Sequence, residues 1–281
     1  METINKITTS KQTTMYDHLC KMIIGNEEVL SRIIKAAVDE ANHLNVEEIR
    51  RLIKGVHIGD LIVNPHFHLV DKKGFIKDEG MVYYDILCYI DVPQEDGKNI
   101  RVYLYVEIQN NPYPGYSIIT RGYAYVSRIV SEQWGSEYDD KNYDGMKKVY
   151  SLWIMPKAPK RKDGHMNVYE TNERIICGTT VEEKEIYDKG VILAIYLNKE
   201  HDELLTPLMV LLNNVLDYKG KQRIIEEYGL NTKKIESEVK DMCDLGESIA
   251  LEARNEGKQI KRKEKNVAHV KKTNDRITNV I

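Results

Sequence analysis

Apolar and polar positions alternate most regularly in two runs, residues 82–91 and 100–109, with the polar, glycine-containing segment 93–99 between them. Alternation interrupted by a turn-rich insert predicts a β-hairpin. Successive side chains leave a strand on opposite sides, so Ile100, Val102, Leu104, Val106 and Ile108 share one face, and Arg101, Tyr103, Tyr105, Glu107 and Gln109 share the other. The first face is predicted as core and the second as the chemical face. A turn centred near Asp96 sets Asp85 of the first strand opposite Glu107 of the second.

Elsewhere the period changes. Leu19, Met22 and Ile23, then Val29, Leu30, Ile33, Ile34, Ala37 and Val38, recur at helical spacing and predict two helices. Asn45 with Glu48 three residues on is capping-box-like, which predicts a short helix over 46–54. A helix over about 116–133 presents two stripes: Ile118, Gly122, Val126 and Ile129 pack, while Arg121, Tyr125, Arg128 and Glu132 form a polar face. Residues 148–155, 174–180 and 191–197 are predicted strands, the last a continuous apolar run suited to burial on both faces. From residue 203 the pattern is helical again. The chain thus reads as α/β: a lead-in without order over 1–14, a mixed-sheet domain with flanking helices over 15–200, a helical region over 201–256 and a basic flexible tail over 257–281.

Composition narrows the function classes. With 41 Lys and Arg against 44 Asp and Glu, the net charge is −3, so a nucleic-acid surface has to be a local patch. Four widely spaced cysteines form no Cys-x-x-Cys, which argues against a zinc ribbon or thioredoxin chemistry. No stretch of 18 uninterrupted apolar residues occurs, so no membrane association is expected and the protein is expected to be cytoplasmic. Neither a P-loop nor a Gly-x-Gly-x-x-Gly motif occurs.

The chemistry concentrates at Asp85 and Glu107. Acids directly opposite on neighbouring strands lie about 5 Å apart and repel unless a cation joins them. Mg²⁺ accepts one or two carboxylates and keeps several waters, so Asp85, Glu107 and the Ile108 carbonyl form a candidate metal set. The alternative is two solvated carboxylates on an open sheet face. Arg121 and Tyr125, following the Glu107 strand, are candidates to contact a phosphate or stack a base, with Arg128 on the same stripe; the alternative is an ordinary polar helix face. His66 and His68 lack a third ligand and read as surface or core residues, and Lys160, Arg161 and Lys162 as a solvated loop.

Asp85 followed by Val106-Glu107-Ile108-Gln109, then Arg121-Gly122-Tyr123-Ala124-Tyr125 and Lys147-Lys148-Val149-Tyr150-Ser151-Leu152-Trp153-Ile154, resembles the PD-(D/E)XK nuclease family transposases, relatives of the bacterial recombination-promoting nucleases. The resemblance extends over most of the chain to about Gly257. It implies a restriction-endonuclease-like core and a deoxyribonuclease that hydrolyses DNA with Mg²⁺ (or Mn²⁺) held by Asp85 and Glu107. It also implies Gln109 where the broader family has a lysine, and Glu79 as an additional acid from a preceding element. DNA is then the partner, and a homodimer is an expectation because a double-strand break needs two sites or two visits. The alternative in a different class is a catalytically weak nuclease-fold protein that acts as a DNA- or protein-binding module.

Overall fold

A computed structural model describes residues 2–61, 84–95, 97–111, 113–197, 205–212, 218–230 and 232–278. Glu79, His66 and His68 lie outside the described residues, as does the expected domain boundary near residue 201.

Three helices come first: α1 (Glu2–Ile24), α2 (Glu27–Ala37) and α3 (Val46–Leu52). Asn26 caps α2 by accepting from the Glu28 N–H at 3.0 Å. Asn45 and Glu48 close the expected capping box on α3. That helix stops at Leu52, two residues short of expectation, because Ile53 already has extended backbone and pairs with Ile90, and Gly55 takes φ of 60°. Strand β1 (Ile53–Leu61) follows, then β2 (Tyr84–Pro93), β3 (Asn99–Ile108), α4 (Ile118–Glu132), β4 (Lys148–Met155), β5 (Met166–Tyr169), α5 (Lys184–Tyr187), β6 (Gly190–Tyr196), α6 (Leu205–Leu212), α7 (Tyr218–Glu227) and α8 (Lys233–Thr278).

Among the described residues the six strands form one mixed sheet in the order β1-β2-β3-β4-β6-β5, with helices against it. β1, β2 and β3 are antiparallel neighbours; β3, β4 and β6 run parallel. The parallel step from β3 to β4 needs a crossover, and α4 supplies it. Gly122 of α4 sits so close to the sheet that a Cβ there would lie 2.9 Å from Ile192 Cγ2 and 3.1 Å from Trp153 Nε1.

Both faces of the sheet are core, which corrects the expectation of one buried and one chemical face. Val102, Leu104, Val106 and Ile108 join Ile86, Cys88, Ile90 and Val92 under the helices of one side, and residues of α1, α2, α6, α7 and α8 belong to that same aliphatic core. On the opposite side Tyr84, Tyr103, Tyr105 and Trp153 pack under Tyr125, Val126 and Ile129 of α4. The aromatic hydroxyls and the indole N–H let such residues fill a core while keeping a polar handle.

Four further expectations change. The polar lead-in is helical as part of α1: once the buried turns of a helix exist, adding residues is far easier than nucleating. The basic tail likewise continues α8 to Thr278. Residues 174–180 form no strand; Ile175 and Ile176 are exposed and Gly178 takes φ of 88°. The edge position goes instead to β5, over residues for which no strand is expected, and it pairs antiparallel with β6.

Candidate active site

The hairpin register runs from Pro93↔Asn99 to Ile86↔Val106, centred on position 96 as the alternation predicts. Gln94 N–H donates to Lys98 O at 2.8 Å, and Gly97, at φ of 78°, completes the turn. Continued by one residue, the register sets Asp85 across from Glu107. Both carboxylates are buried, at 8% exposure each, so the pair is not the solvated one that the sequence left open.

Each acid is held by groups from different elements. Asp85 Oδ2 accepts from the Ile108 N–H at 3.0 Å, and Oδ1 lies 2.7 Å from Lys21 Nζ of α1. Lys21 also pairs with Asp17 one turn earlier at 3.0 Å, and Asp17 accepts from Asn110 Nδ2 at 3.2 Å. Glu107 Oε2 accepts from the Tyr105 hydroxyl, and Oε1 lies 3.3 Å from Arg121 of α4. The Arg121 guanidinium donates to the Tyr116 and Tyr125 hydroxyls, at 2.7 Å each, and lies 5.2 Å from the Trp153 ring centroid.

These surroundings set the charge balance. Burial pushes the Glu107 carboxyl up to about 7, reinforced by the Asp85 charge and opposed by the Tyr105 hydroxyl and Arg121. Burial also raises Asp85, against the pull of Lys21 and the Ile108 N–H. Burial by itself would lower Lys21; the hydrogen bonds it donates to Asp85 and Asp17 outweigh that and hold the ammonium above its ordinary value. Fully ionised, Asp17, Asp85 and Glu107 face Lys21 and Arg121, three negative groups against two positive.

A hard divalent cation would suit that unbalanced charge and the two adjacent carboxylates. The donor set stays small: among the described residues no group of three or more His, Cys, Asp or Glu side chains is placed to hold a metal.

The other sequence candidates are distributed unevenly. Arg121 reaches Glu107 as anticipated. Tyr125, expected to meet a base, is buried instead, with its ring stacked on Tyr105 at 4.9 Å; its contribution to the site is the hydroxyl that receives Arg121. Arg128 lies near Glu132 and Tyr84, where its charge bears on both groups. Gln109 turns along its own loop, with Nε2 donating to Asn111 O at 2.6 Å. Lys21, Asp17 and Asn110 were not singled out from sequence. The only local signal was an Asp–Lys pair four residues apart beside an apolar stripe, a pattern that usually marks a solvated helix face.

No protein-family model, curated protein or solved structure matches this chain. Among the described residues no helix is long and apolar enough to cross a membrane.

Proposed function

We propose that this protein is a metal-dependent deoxyribonuclease that hydrolyses DNA phosphodiester bonds at the Asp85–Glu107 pair, with Mg²⁺ or Mn²⁺ as cofactor. The observation that carries the reading is the pair itself: two buried acids on adjacent antiparallel strands that, fully ionised and counted with Asp17, carry more negative charge than Lys21 and Arg121 offset. The order of elements supports it, since an antiparallel hairpin followed by a helical crossover to a parallel strand is the arrangement expected of a restriction-endonuclease-like core, as the motif resemblance implies.

A divalent ion held there supplies Lewis acidity to a phosphate oxygen and acidifies water. The chain's own groups do the rest. The Ile108 N–H and Lys21 fix the Asp85 carboxylate, while the Tyr105 hydroxyl and Arg121 fix Glu107. Arg121, half-buried beside the exposed Tyr116, offers positive charge where a DNA phosphate would approach. In the hydrolysis the water oxygen bonds to phosphorus as the P–O3′ bond opens. A 5′-phosphate and a 3′-hydroxyl result, with the water proton released and one proton taken up by the leaving oxygen.

A second reading is a nuclease-derived binding module for DNA or a protein. It is favoured by the two ion pairs, Lys21–Asp85 and Arg121–Glu107, that give each acid a cationic partner within the chain. Plasmid nicking separates the two. With Mg²⁺ or Mn²⁺ the purified protein converts supercoiled plasmid to the open circle, and Asp85→Ala or Glu107→Ala lowers the rate at least about 100-fold while DNA retention persists. Retention without nicking in the unmodified protein sinks the hydrolase reading.

A further inference from the structure

Where the broader PD-(D/E)XK family has a lysine on the second strand of the hairpin, this chain has Gln109, and the Gln109 amide is engaged with the Asn111 carbonyl. A neutral amide cannot supply charge. Yet a lysine does stand at the acid pair, delivered from another part of the fold. Lys21 is buried to 8% exposure on α1, and its Nζ lies between Asp85 Oδ1 at 2.7 Å and Asp17 Oδ2 at 3.0 Å.

Its placement is over-determined. Asp17 holds it one turn away on the same helix, and Asn110, directly after Gln109, donates to Asp17 at 3.2 Å. The Ile108 N–H donates to the other oxygen of Asp85. A closed circuit therefore runs from Ile108 through Asp85, Lys21 and Asp17 to Asn110, leaving the end of β3 at one residue and returning two residues later. α1 is itself fastened on its other sides, through the Tyr16 hydroxyl to Leu212 O at 2.6 Å and through Gln12 Nε2 to Glu252 at 2.7 Å. A lysine needed only for solubility would not be buried in this way; burying an ammonium is costly unless it is paired and hydrogen-bonded.

We infer that Lys21 is the positioning cation of the Asp85–Glu107 centre, taking from α1 the charge that Gln109 cannot provide and fixing Asp85 for the reaction through the Asp17–Asn110 brace. The inference rests on the hydrolase reading above. It goes further by naming which cation completes the site and by tying that cation to a helix outside the hairpin and crossover. Asp17 and Asn110 thereby become parts of the centre, acting through Lys21.

The test compares the full-length protein with Lys21→Met, Lys21→Arg and Asp17→Asn in two assays: plasmid nicking with Mn²⁺, and Mn²⁺ binding by calorimetry without DNA. Groups that orient a metal ligand from behind are worth about 10–100-fold in activity. Lys21→Met is therefore expected to lower kcat by that factor with KM for plasmid within about 2-fold, Lys21→Arg to restore kcat to within about 10-fold of the unmodified protein, and Asp17→Asn to fall between them. Mn²⁺ binding by Lys21→Met should be at least as tight as in the unmodified protein, since the ammonium competes with the ion for Asp85. The inference is overturned if Lys21→Met nicks at the unmodified rate, or if its loss of nicking is matched by an equal loss of Mn²⁺ binding, which marks a scaffold. Should Lys21→Met fail to fold, Asp17→Asn decides: a slower kcat with unchanged KM supports the inference, and an unchanged kcat overturns it. If the unmodified protein neither nicks nor binds Mn²⁺, the hydrolase reading has failed and the inference falls with it, an outcome separate from a failure confined to the variants.

Discussion

Two lysines are buried among the described residues, and their surroundings are opposite. Lys21 of α1 has carboxylates at 2.7 and 3.0 Å and is held above its ordinary pKa. Lys221 of α7, fully buried, donates to Leu211 O at 2.9 Å and lies 3.6 Å from Met242 Sδ. Burial lowers the Lys221 pKa, with the Cys243 and Cys20 thiols a smaller opposing influence. Cys20, next to Lys21 in the chain, has its own thiol pushed up to about 12 by burial. One step along α1 thus separates a place organised around charge from a place that disfavours it. Depth alone does not distinguish a cation with a chemical task from one enclosed by packing; its partners do.

The largest effect should come from removing the paired lysine. Lys21→Met leaves Asp85 buried without its cation and should cost about 3 kcal/mol in urea unfolding. Adding Asp85→Asn should return about half of that loss, because an orphaned charge costs more than an absent pair. A Lys21→Met loss no larger than that of an exposed lysine would break the comparison.

Lys221→Met should go the other way, gaining about 1 kcal/mol at pH 7, because its apolar chain suits the site and only the Leu211 hydrogen bond and the weak contact to the Met242 sulfur are lost. pH sharpens the same contrast. The folded pKa of Lys221 lies below the ordinary 10.5, so the unfolded chain binds the extra proton. The penalty is therefore fully present below the folded pKa and fades as pH rises toward about 10.5, so the unmodified protein gains stability across that interval. The corresponding unfolding curves of Lys221→Met should lack this gain. A parallel pH profile in both proteins would mean that Lys221 is not the group responsible.

The hairpin was legible because three local signals agreed: alternation in both strands, a turn segment between them, and a register centred on Asp96 that put Asp85 beside Glu107. Strand β4 and the capping box at Asn45 were legible for similar reasons. What sequence did not reveal depends on long-range packing. Tyr103 and Tyr105 alternate with aliphatic residues and so resemble an open polar face, but α4 covers them and makes that face a second core. Lys21 and Asp17 resemble an ordinary surface pair until α1 is laid against the end of β3. The edge strand β5 is four residues long with exposed side chains, too short for alternation to declare itself.

The span of chain enclosed by each contact orders assembly in time. The Asp85–Ile108 hydrogen bond closes a separation of 23 residues, whereas the Asn110, Leu212 and Glu252 contacts that seat α1 close 93, 196 and 240. Longer closures cost more entropy and slow the search, so the two acids meet early and the ammonium partner of Asp85 arrives late. Contacts made late are often the first to open. Amide hydrogen exchange should find β2 and β3 protected up to the global unfolding limit while α1 exchanges through a smaller opening, and equal protection of all three would refute that order.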